Sequence, residues 1–151
     1  MPAPFDDPQG PNPQDIHAAL DRICASGTFG TSPKLTSFLR FVVEATLSGH
    51  GGRLKGYTVG VEALGRSANF NPQIDPIVRV EAIRLRAALA RYYSGDGVRD
   101  PVVIEMPRGH YVTLFRWRQR GRHARSLVWA IHMVLRVLGT RIVFQAPPDL
   151  R

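Results

Sequence analysis

The stretch DPIVRVEAIRLRAALARYY, residues 75–93, decides how the rest of the chain is read. Val78, Ala82, Leu85, Leu89 and Tyr92 recur at spacings of four, three, four and three, the stripe of an amphipathic helix that buries one side. Asp75 is placed to cap that helix, Pro76 suits its first position, and Gly95 lies just past its end. Arg79, Arg84, Arg86 and Arg91 all fall outside the stripe. Such a face is either simply solvated or lies against phosphates. The neighbouring sequence has to choose.

Composition favours the second reading. The chain has 151 residues, a length suited to one domain, and a net charge of +8. Its pI of about 10.7 is the electrostatic footprint of a protein that binds a polyanion, either nucleic acid or an anionic membrane surface. One cysteine, Cys24, excludes an internal disulfide framework and a multi-cysteine zinc site. It shares helical spacing with Ile16, Leu20 and Ile23, so a buried thiol in a reducing compartment is expected. The opening MPAPFDDPQGPNP lacks the basic and apolar regions of a signal peptide, and its five prolines predict a disordered leader over residues 1–12.

Three helices are predicted before the arginine helix. The first runs Pro13–Ser26, with Asn12 as N-cap and Gly27 as a left-handed stop. The second starts after Ser32 at Pro33, buries Leu35, Phe38, Leu39, Val42 and Leu47, and ends at Gly49. The GHGGR run after it lacks both the preceding strand and the following Lys-Ser/Thr of a phosphate loop, so it reads as a helix connection. A short segment, Leu54–Leu64, would turn Leu54, Tyr57, Val61 and Leu64 inward, weakened by Gly56 and Gly60. A polar loop, Gly65–Gln73, leads to the arginine helix. Beyond that helix the period changes from helical to alternating. Val102–Met106 and Tyr111–Phe115 read as a β-hairpin around PRGH, with Arg108 and His110 at its tip and Gly109 supplying backbone freedom.

The order of helices, a basic last helix and a basic-tipped hairpin is that of a winged helix-turn-helix. A helix with one buried stripe can offer its other side to the major groove, while the hairpin reaches the neighbouring backbone or minor groove. The predicted fold is mainly α with a small β-hairpin, plus an apolar C-terminal helix. VRVEAIRLRAAL followed by VVIEMPRGHYVTLF resembles the recognition helix and wing of the OmpR-type DNA-binding domains of bacterial transcription regulators. Val78, Val80, Ala82, Arg84, Leu85, Arg86 and Leu89 match the helix pattern; Arg108, Gly109 and Tyr111 match most of the wing. The resemblance covers roughly residues 34–116.

It implies duplex DNA as the partner of a bacterial regulator. Arg79, Arg84, Arg86 and Arg91 would be groove or phosphate residues, with Lys55 and Arg108 touching phosphates and Tyr111 packing inside. It also implies RNA polymerase as a partner of the loop before the recognition helix. Arg84 or Arg86 can instead serve Glu62 or Glu81 as a structural partner. The chain departs from the family pattern in three ways. A helix replaces the usual leading sheet, His110 replaces a wing glycine, and no receiver domain with a phosphoacceptor aspartate is present. The chain is also similar to an N-terminal module of larger bacterial proteins that continue into tetratricopeptide, propeller or membrane regions. In that case it is a short member with little or no effector part.

Other classes fit less well. His17, His50, His110, His123 and His132 are scattered singly, with no HExxH spacing, no Ser/His/Asp arrangement and no paired acids, so neither an enzyme nor a cofactor or metal site is expected. No aromatic sheet platform suggests single-strand RNA binding. A protein-interaction or membrane-tethering module on the same scaffold is the alternative.

After the domain at 13–116 come a basic linker, 117–125, an apolar helix, 126–144, and a tail, 145–151. Leu127–Phe144 is 18 residues long, at the short end of a membrane span, and holds Arg136 mid-segment. Arg125, His132, Arg136 and Thr140 would form a polar stripe on it, which suits an interfacial or partner-packed helix. Membrane association or a homo-oligomer follows from these readings. The expected location is the cytoplasm, with tethering to the cytoplasmic face of the inner membrane if 126–144 spans.

Overall fold

The computed structural model describes residues 10–118. Helix α1, Pro13–Ala25, starts where Asn12 Oδ1 accepts the Asp15 amide at 2.9 Å. It buries Ile16, Ala19, Leu20 and Ile23. Cys24 lies at the edge of this stripe and is half-buried rather than in the core, and burial raises its pKa. Gly27 does not stop the helix in a left-handed conformation. Ser26 turns extended, and a single-turn helix α2, Gly27–Gly30, follows and buries Phe29.

Helix α3, Pro33–Leu47, buries Leu35, Phe38, Leu39, Val42, Val43 and Thr46. Leu47 is left half-buried at its end. Gly49, at φ 75°, takes the left-handed turn that releases the chain, and the His50 amide reaches back 2.8 Å to the Ala45 carbonyl. A 3-10 turn, Gly51–Arg53, links to α4, Gly56–Thr58, which widens at once into a π-turn over Val59–Ala63.

This segment corrects the regular helix expected over Leu54–Leu64. Tyr57 points outward at 45% exposure and donates to the Ala68 carbonyl. Val59 and Gly60 are the buried members, while Val61 and Leu64 are half-buried. Gly60 is not merely a weak point. A Cβ there would clash with the Phe70 ring, so its missing side chain admits Phe70 from the loop into the core.

Helix α5, Ile77–Ser94, buries Val78, Glu81, Ala82, Leu85, Ala88, Leu89 and Tyr92. The helix starts one residue later than expected, with Pro76 as its N-cap; Asp75, just before it, accepts the Ile77 amide on Oδ1 at 3.0 Å, and its carboxylate pairs with Arg66. At the far end Gly97 is buried against Tyr92, where a Cβ would clash with the ring. The Tyr92 hydroxyl thereby reaches the buried Asp100 carboxylate, which also takes Arg22 of α1. Burial and that hydrogen bond hold the Tyr92 phenol far above its ordinary pKa.

The sheet is one antiparallel pair: β1, Val102–Glu105, and β2, Leu114–Trp117, with Val102 opposite Trp117 and Glu105 opposite Leu114. The second strand begins three residues later than the expected Tyr111. Thr113 explains the shift. Its amide and hydroxyl both donate to Thr46 Oγ1 of α3, at 3.2 and 3.1 Å, so the chain is bonded to a helix before it can join the ladder. β1 lies buried against α1 and α5. The described residues are thus mainly helical with one small hairpin. Among them no helix is long and apolar enough to cross a membrane. The apolar 126–144, the basic linker from 119 onward and most of the leader lie outside the described residues.

Candidate nucleic-acid interface

The buried stripe of α5 turns the rest of the helix outward, and the hairpin is docked along one edge of it. Arg86 makes that docking. Its Nε donates to the Met106 carbonyl at 2.9 Å, and one terminal nitrogen donates to the carbonyls of Pro107 and His110 at 3.0 and 2.9 Å. Three carbonyls on both sides of the hairpin tip converge on one guanidinium, a geometry that a planar five-donor fork can satisfy. Partial burial lowers the pKa of Arg86, opposed by Tyr111 and assisted by the nearby positive charge of Arg108. This arginine belongs to the scaffold and does not face outward with the other three.

Arg84 is divided between two roles. Its Nη1 lies 3.1 Å from Glu81 Oε1, and Glu81 is almost fully buried while two-thirds of the Arg84 side chain is open to water. Of the structural pairings expected for Arg84 or Arg86, the one with Glu81 is formed by Arg84; Glu62 is exposed and takes neither. Arg79 and Arg91 are exposed and have no ion pair or hydrogen bond from their side chains among the described residues. Arg91 also stands in the last turn of α5, where the helix dipole favours a cation.

Arg108 is exposed at the hairpin tip, next to Gly109 at φ 84°, and is equally unpaired among the described residues. Because Arg86 grips the carbonyls on either side of it, Arg108 is held at a fixed place beside α5. Tyr111 is half-buried, its ring centroid 6.4 Å from that of Phe38, so it packs inward as expected. Lys55 is exposed at the start of α4 and has no partner among the described residues. The structure therefore brings Arg79, Arg84, Arg91 and Arg108 together on α5 and its hairpin, uses Arg86 to hold the two elements, and leaves Lys55 on a separate element.

Two features of this surface escape the sequence pattern. Val80 and Ile83 of α5 are exposed at 40% and 61%. The hydrophobic stripe counts them as incidental, although they lie in the middle of the outward face. The role of Arg86 also has a faint signal: seven residues after Arg79, it sits at the border of the stripe, beside Ala82 and Leu89.

Comparison with known proteins adds no constraint: no family model, no curated protein and no solved structure matches the chain.

Proposed function

We propose that residues 13–116 form a winged helix-turn-helix that binds duplex DNA, as in a bacterial transcription regulator. Helix α5 lies in the major groove and the hairpin acts as the wing. The observation that carries this reading is the joint placement of unpaired cations on two elements locked together: Arg79 and Arg91 on α5, and Arg108 on the hairpin that Arg86 fastens to it. A solvated helix face needs no such fastening. A surface that follows the curved phosphate backbone does, because its charges must keep their spacing to act together. Arg84, partly exposed beside Glu81, adds a second cation to the edge that carries Arg91, and Lys55 supplies a peripheral phosphate contact. Catalysis has no part in this reading.

Equilibrium binding of the full chain to duplex DNA across a salt series tests it. Four to six phosphate contacts give a log–log slope of about −4 to −5. Arg108→Ala should lower affinity for all sequences alike, with the melting temperature unchanged. Absence of binding to any duplex at low salt overturns the proposal.

A further inference from the structure

The outward face of α5 has an unusual cross-section for a surface in a chain this basic. Along its centre run Val80, Ile83, Ala87, Ala90 and Ser94, at spacings of three, four, three and four. Arg84 and Arg91, seven apart, line one edge. Arg79 lines the other, and Arg86 on that same edge delivers the hairpin tip with Arg108. The central strip is apolar or small throughout. Its one polar member is already used, since the Ser94 hydroxyl turns back to the carbonyls of Ala90 and Arg91 at 2.9 and 3.1 Å.

From this arrangement, and resting on the DNA-binding reading above, we infer that α5 reads thymine methyl groups. Val80 and Ile83 are the specificity-determining residues. A helix about 10–12 Å across fits a major groove about 12 Å wide, so the two arginine edges meet the phosphates on either side. The centre then faces the base edges. It holds no free amide, carboxylate or guanidinium for the bidentate pairing that identifies guanine or adenine. What it offers is two branched aliphatic side chains, and the complementary feature of the groove floor is the C5-methyl of thymine. Ala87 and Ala90 let the backbone approach closely enough for those side chains to touch it. An apolar protein partner would also cover Val80 and Ile83, but it would strand the flanking arginines, whose charge matches the paired phosphate walls of a groove.

The full chain is tested against two random duplex pools, identical except that one carries deoxyuridine in place of thymidine. Single replacements in the selected site follow. The thymidine pool should bind more tightly, by roughly fourfold for each methyl buried. Ile83→Ala, at a position too exposed to affect folding, should abolish that preference at one base step, lowering affinity for the thymidine duplex more than for the deoxyuridine duplex. Equal binding of both pools, a selected site without thymine, or a preference unchanged at every base step in Ile83→Ala overturns the inference while DNA binding stands. Binding to neither pool removes DNA binding and this inference together.

Discussion

Arg86 and Arg91 lie five residues apart on one helix and share a side chain, yet the structure uses them in opposite ways. On the edge that faces the hairpin, Arg86 spends its hydrogen bonds on three carbonyls of the chain itself. On the outer edge, Arg91 has no side-chain partner among the described residues and stands in water. The difference comes from neighbours, not from residue type. Where another element passes within reach of a fork of donors, a positive charge becomes a structural joint. Where none does, the charge stays in water. A count of arginines on a helix therefore overstates its binding residues.

The largest effect that separates the two edges is expected for Arg86→Ala. Loss of its hydrogen bonds should cost about 2–3 kcal/mol, less than three separate charged bonds would suggest because the guanidinium is only partly buried. DNA affinity should fall with it, because the hairpin loses its fixed place. Arg86→Lys keeps the charge but loses the fork. Chemical denaturation and DNA titration of both variants decide the matter: a lysine that restores full affinity makes Arg86 a phosphate contact and erases the contrast.

Thr46→Val examines the other fastening of the hairpin. It removes the hydroxyl that accepts from the Thr113 amide and hydroxyl and leaves those donors buried, a cost of about 1–2 kcal/mol. Hydrogen exchange at Thr113 should accelerate while α1 stays protected.

Arg91→Ala should change stability by no more than about 0.5 kcal/mol, the usual range for a surface site. Its affinity for duplex DNA should fall, with a salt slope shallower by about one phosphate contact. A clear drop in melting temperature would show that Arg91, too, serves the fold.

The smallest effect concerns the start of the helix that carries both edges. Asp75 has its pKa held below the ordinary value of 3.8, chiefly by the Ile77 amide and then by Arg66. A depressed folded pKa contributes stability above the unfolded value, and that contribution is lost as pH falls through the folded one. Melts from about pH 5 down to about pH 2 should therefore show a smaller acid-induced loss for Asp75→Asn, which can still cap but does not titrate there.

Legibility followed the length of the repeating pattern. The stripe of α5 runs over more than four turns, and each of its five sequence-predicted members is buried. The faces of α1 and α3 were readable for the same reason. Between Leu54 and Phe70 the pattern is short, and its outcome depends on a ring outside the segment: Phe70, ten residues after Gly60, fills the space that glycine leaves. No local periodicity encodes that contact. The same holds for the late start of β2, which Thr46 of α3 imposes on Thr113 from 67 residues away. At the candidate site the positions of the arginines were legible, and so was the inward packing of Tyr111. The capture of Arg86 was not, because it needs the hairpin tip to be in place first.

The exit of the chain from this domain carries a mechanical consequence. The Arg118 amide donates to the Pro101 carbonyl, and its side chain donates to the carbonyls of Asp100 and Gly97 while stacking over Tyr93. Its two strands enter and leave the ladder side by side, with Val102 opposite Trp117, so a pull on the following chain would load the ladder one rung at a time, as a zipper opens. Arg118 sits ahead of the first rung. Tension transmitted from whatever follows residue 118 must break this latch at the end of α5 before it can peel β2 away, so the hairpin tip is shielded from force applied at the hairpin base.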